Sequence, residues 1–135
     1  MPYQDFFDGL YLLRQPSSHK PGIDHYGIWD IGNRLGLSGV DRSHPVVVHQ
    51  MPTGIQLNWF QDTGSWTVLG IITDESDALR RLEIAFRDPN YRLFDNNCEH
   101  FARYIATGAK ESTQVQAAGV VAGLMALVFI VNRAD

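Results

Sequence analysis

The chain has 135 residues, of which 44% are hydrophobic, 11% aromatic and 19% charged, which fits one ordinary domain with a core and excludes disordered, collagen-like and disulfide-dense classes. Eleven Lys+Arg against fifteen Asp+Glu give a net charge of -4. The cations are dispersed along the chain and form no basic patch to neutralise phosphates, so nucleic acid is not an expected partner. The single cysteine, Cys98, excludes an internal disulfide, cannot alone organise a structural zinc site, and suits a reducing compartment.

In chain order, the acidic start with Asp5 and Asp8 lacks the positive charge and apolar run of a secretory signal. Leu10 to Arg14 reads as a strand, and Gln15 to Gly22 is dense in turn formers and reads as a loop. Asp24 to Gly32 alternates as a strand does, with Tyr26, Ile28 and Asp30 on one face and His25, Gly27, Trp29 and Ile31 on the other. Asn33 to Pro45 reads as a loop, Val46 to Met51 as a strand, Pro52-Thr53-Gly54 as a turn, and Ile55 to Phe60 and Trp66 to Ile72 as two further strands. Short links between these strands predict an antiparallel meander.

Helical spacing begins near Asp74, with Ala78, Leu79, Leu82, Ala85 and Phe86 on one face, and Asp88-Pro89-Asn90 stops it. A second helix is expected from about Asp95 to Asn97, with Phe101, Tyr104 and Ile105 inward and Gly108 beyond its last turn. The 19 residues from Thr113 to Val131 carry no charge, and from Ala117 onward all are apolar or Gly. As a helix rising about 1.5 Å per residue this stretch approaches the roughly 30 Å of a bilayer's hydrocarbon core. Gly119 and Gly123 form a small-x-x-x-small pattern that permits self-association in lipid. The fold class is therefore α+β: an antiparallel sheet with packed helices over residues 1–112, an apolar helix and membrane anchor over 113–131, and a short polar tail over 132–135.

Cys98 follows three good helix-capping residues, Asp95-Asn96-Asn97, and so belongs in a first helical turn, where the helix dipole and unpaired backbone N–H groups favour thiolate. A lone cysteine is otherwise a small buried hydrophobe. His25 and His49 lie on strands among apolar residues, and a thiol nucleophile needs an imidazole to take its proton and a partner to orient that imidazole. Each histidine taken alone also fits a satisfied core or edge position. His19 and His44 fall in loops, and His100 points away from the thiol on a helix. Zinc held by three histidines is an alternative without support from helical His spacing or a second cysteine.

Asn97-Cys98-Glu99-His100-Phe101 followed by Gly108 resembles the signature of the lecithin retinol acyltransferase family, whose vertebrate members include small phospholipid-metabolising enzymes. Pro21 to Gly32 around His25, Val47 to Pro52 around His49, Tyr91-Arg92-Leu93, and Ser112 to Val115 ahead of the apolar stretch extend the resemblance from about Asp8 to Val131. It implies a circularly permuted papain-like fold of the NlpC/P60 type, with Cys98 as nucleophile, His25 as general base and acid, and His49 orienting His25. The implied activity is that of a phospholipase A or acyltransferase working through an acyl-Cys98 thioester, with the Cys98 backbone N–H at the oxyanion and no cofactor or metal. Its implied partners are phospholipid and the bilayer, and its place is at a membrane with the catalytic domain in the cytoplasm.

The link between the two histidine strands is longer than the family pattern, which makes His44 a rival to His49 for the third position. A cysteine peptidase or amidase of the NlpC/P60 kind shares the site, and a catalytically silent membrane module is the third class. Cleaved amides, released fatty acid or transferred acyl groups would distinguish them.

Overall fold

A computed structural model of the chain describes residues 5–17, 22–87, 98–108 and 129–131. Its strands are β1 (Gly9–Pro16), β2 (Asp24–Ile31), β3 (Val46–Met51), β4 (Gly54–Trp59), β5 (Trp66–Ile71) and β6 (Phe129–Val131), and its helices are α1 (Glu75–Arg87) and α2 (Cys98–Thr107). The α+β class expected from the sequence is what the chain adopts. The sheet runs β4-β3-β2-β1-β5-β6, and each adjacent pair is antiparallel.

β1 to β4 form the expected meander, but β5 does not continue it beside β4. It crosses to the far edge of β1. The crossing starts with a single 3-10 turn, Phe60–Asp62, whose Phe60 leaves the strand predicted for it and stacks on Trp29 with ring centroids 4.6 Å apart. Thr63 and Trp66 then lock the link: the Thr63 hydroxyl donates to the Phe60 carbonyl at 2.7 Å, and Trp66 Nε1–H donates to Thr63 Oγ1 at 2.8 Å.

Alternation along the strands divides the core into two layers. On one face Leu10, Leu12, Tyr26, Ile28 and Val48 pack against α1 and α2 through Leu82, Phe101 and Ile105. The other face collects Tyr11, Leu13, Trp29, Ile31, Val47, Phe60, Trp66 and Val68, with Phe6 against its margin. Burying a large apolar side chain contributes on the order of 1.5–3 kcal/mol, so both layers hold the sheet.

Between Leu12 and Leu13 the ladder to β5 shifts by one: Leu12 faces Gly70 and Leu13 faces Val68, so Leu69 has no opposite residue. Directly paired residues share a face, and this β-bulge therefore puts Val68 and Trp66 on the face opposite the helices.

α1 buries Ala78, Leu82 and Ala85 as its spacing predicts, but Phe86 at the edge of that stripe is 43% exposed. The Arg81 guanidinium ties the two helices together by donating from Nε and Nη2 to the Ile105 carbonyl near the end of α2. Gly108 follows α2 with φ +78 and its N–H bonds the Tyr104 carbonyl, the C-terminal stop read from the sequence.

The apolar helix expected over 113–131 is corrected at its end. Phe129–Val131 is extended and pairs with Trp66 to Val68 of β5. Residues 113–128 and the capping run 95–97 lie outside the described residues. Among the described residues no helix is long and apolar enough to cross a membrane.

Candidate active site

β2 and β3 are central strands, and their alternation sends His25 and His49 to the face opposite the helices, beside Trp66. His25 Nε2 lies 2.8 Å from His49 Nδ1, and the two ring centroids are 5.0 Å apart at a steep angle. The Trp66 ring flanks both, 5.7 Å from His25 and 6.5 Å from His49 by centroid.

The space for this cluster comes from Gly27, two residues beyond His25 on the same face. A Cβ there would sit 2.9 Å from the Val47 side chain and 3.3 Å from the Trp66 ring. Glycine in a strand interior ordinarily weakens it and marks a close approach. Here the approach is that of Trp66 and β3.

His49 is 6% exposed. Burial pushes its pKa below that of an ordinary imidazole, and the hydrogen bond to Asn58 works the other way without overcoming it. That bond joins His49 Nε2 to Asn58 Oδ1 at 2.7 Å. Asn58 comes from β4, where Val47 faces Asn58 and His49 faces Gln56, so Asn58 is the diagonal neighbour of His49 on one face.

Cys98 opens α2 and is partly buried. Its thiol reaches the backbone carbonyl of Asp24, the residue preceding His25, with Sγ 3.8 Å from the oxygen. Helix α2 packs on the other face of the sheet, so its first residue meets the end of β2 rather than its middle. Arg103, one turn further along α2, lies over the Tyr26 ring at 5.4 Å and pairs with Glu99 at 2.8 Å. Asp24 is exposed and lies 3.9 Å from the Arg14 side chain.

The structure thus brings His25 and His49 into contact and sets the thiol at the strand end that bears His25. His44 is elsewhere: it sits in the Asn33 to Pro45 loop, exposed, with Nδ1 3.1 Å from Asp41 and its ring steeply inclined to that of Trp59, 6.3 Å away by centroid. His100 lies in the first turn of α2, and His19 is outside the described residues. Among the described residues no three His, Cys, Asp or Glu side chains converge as metal ligands.

Asn58, Trp66 and Gly27 are the members of this cluster that sequence reasoning missed. The signal for Asn58 was a requirement rather than a motif. A buried imidazole needs a hydrogen-bond partner for its ring nitrogens, and Asn58 is a polar residue on the alternating strand after His49.

Comparison with curated proteins and with solved structures yields no match. Residues 56–111 do match the family model for lecithin retinol acyltransferase, a span that includes Asn58, Trp66, α1 and Cys98 and begins after His25 and His49. Over that span the chain is consistent with a domain of the lecithin retinol acyltransferase family.

Proposed function

We propose that the protein is a thiol-dependent phospholipid acyl hydrolase or acyltransferase, with Cys98 as nucleophile, His25 as general base and acid, and His49 orienting His25. A domain of the matched family suggests acyltransferase or phospholipase-type activity. The observation that carries the finer reading is the 2.8 Å contact of the two imidazoles at the strand end reached by the Cys98 thiol.

In this mechanism His25 takes the thiol proton and the Cys98 sulfur attacks the ester carbonyl of a phosphoglyceride. The carbonyl electrons move to oxygen, and the backbone N–H of Cys98 supports that oxyanion. When the intermediate collapses the carbon–oxygen bond breaks, His25 returns its proton to the departing lysophospholipid, and the acyl group stays on sulfur as a thioester. Water then releases a fatty acid, or an alcohol or amine carries the acyl group away, with His25 again moving the proton. The same reading includes the circularly permuted papain-like arrangement, in which the histidines precede the cysteine. It also includes membrane contact through the uncharged stretch after Thr113.

The test is intact-mass measurement of the chain incubated with short-chain phosphatidylcholine. Wild type should gain one acyl mass, mapped to Cys98, and release lysophospholipid. Cys98→Ala should show neither while keeping its circular dichroism, because losing one sulfur at a helix start leaves the two core layers intact. Turnover near wild type in Cys98→Ala would end the thioester mechanism, and cleavage of peptides with no action on lipid would favour an amidase.

A further inference from the structure

A row of hydrogen bonds crosses three strands, from Asn58 on β4 to His49 on β3 to His25 on β2. A neutral imidazole has one N–H and one lone pair, so fixing one nitrogen fixes the other. Asn58 Oδ1 is an acceptor, and the His49 nitrogen facing it at 2.7 Å must donate. His49 Nδ1 then holds the lone pair and accepts from the Nε2–H of His25 at 2.8 Å. Carried one ring further, this polarity leaves the lone pair of His25 on Nδ1.

We propose that Asn58 is a positioning residue: through His49 it selects the His25 tautomer whose Nδ1 carries the lone pair that receives the thiol proton. This rests on the reading of His25 as the base. The reverse row, with Asn58 donating its amide N–H, would leave His25 Nδ1 protonated and unable to take a proton.

An uncharged amide at this place has a specific use. Among the described residues, the groups in contact with His49 are His25 from β2, Asn58 from β4 and Trp66 from β5, and none of these three is a carboxylate. At the end of β2 the Asp24 carboxylate lies 3.9 Å from the Arg14 side chain. A carboxylate in place of Asn58 would draw a second proton onto His49. The resulting imidazolium donates at both nitrogens, reverses the bond to His25 and puts the proton on His25 Nδ1.

The experiment uses the full chain labelled with 15N-histidine. Long-range 1H–15N spectra are recorded through a pH series for wild type, Asn58→Asp and Asn58→Leu, beside kcat and KM on short-chain phosphatidylcholine. Wild type should show Nε2–H on both His25 and His49. Asn58→Asp is nearly isosteric and should raise the His49 pKa by about one unit or more. Its kcat should be depressed at low pH and recover toward wild type above the new value, so the acid limb moves with the His49 titration.

Asn58→Leu should lose about tenfold in kcat with KM little changed, as expected for one lost, partly buried hydrogen bond. Nδ1–H on both rings of wild type, or an Asn58→Asp protein whose His49 titration and pH profile match wild type, would overturn the proposal. The stated tautomers in a protein that does not act on lipid would support Asn58 in this role and refute the lipid substrate.

Discussion

In the proposed relay His49 stays neutral, and its burial makes that a matter of stability as well as chemistry. Its folded pKa lies below the 6.5 of an ordinary imidazole, because burial disfavours the charged ring. As pH falls through the range below that value the unfolded chain takes up a proton that the folded chain refuses. The stability linked to His49 is present above the ordinary value and is lost on acidification, until the depressed pKa is reached. Urea midpoints measured from neutral to mildly acidic pH should therefore fall more steeply for wild type than for His49→Gln. Asp30 acts in the opposite direction: burial raises its carboxyl pKa against the backbone N–H bonds from Leu35 and Arg34, so its linked stability is lost as pH rises through the raised value. Comparing wild type with His49→Gln isolates the histidine from this background. The alternation Asp24 to Gly32 and the β-branched run before His49 made both histidines legible in the sequence. The Asn58 partner was not, because a diagonal neighbour is set by the register between strands and leaves no mark on either strand alone.

At the scale of elements, β2 does two jobs with its two faces. Tyr26 and Ile28 join the helix-side layer, while Trp29 and Ile31 hold the other layer and His25 stands at its end. Gly27 is the point where the second face is tightest, so Gly27→Ala should cost about 1–3 kcal/mol, the usual range for overpacking a filled site. The Val47 side chain and the Trp66 ring are what it displaces. Chemical denaturation would measure the loss, and a midpoint unchanged from wild type would mean that Trp66 yields without cost. The strand boundaries followed from period-two patterning, and α1 and the end of α2 from helical spacing and Gly108. The crossing of β5 did not, because Asp62 to Ser65 reads equally well as a hairpin turn. What decides it is Phe60 stacking on Trp29, a contact between residues 31 positions apart in the chain.

For the whole molecule, the uncharged stretch from Thr113 carries the membrane part of the reading, and β6 alters how that should be tested. Deleting everything after Ser112 would also strip Phe129–Val131 from the edge of β5. A single charge is the cleaner perturbation. Leu124→Arg should reduce co-sedimentation with phosphatidylcholine vesicles by roughly a hundredfold, since Arg in the middle of an inserted helix costs about 2.5–3.5 kcal/mol. Binding of the variant equal to wild type would remove this stretch from any anchoring role. The stretch is conspicuous in the sequence, yet its last three residues serve the sheet, because Phe, Ile and Val suit a strand as readily as an apolar helix.

The bulge at Leu69 also decides where this sheet can change its length. Because Leu69 faces no residue on β1, deleting it leaves Leu12 opposite Gly70, Leu13 opposite Val68 and Arg14 opposite Thr67, and every side chain of β5 keeps its face. Deleting Thr67, two positions away, turns Trp66 from the imidazole pair to the helix side. Two codon losses in the same strand thus have unlike consequences: one removes only a partly buried leucine, and the other takes away the wall of the site.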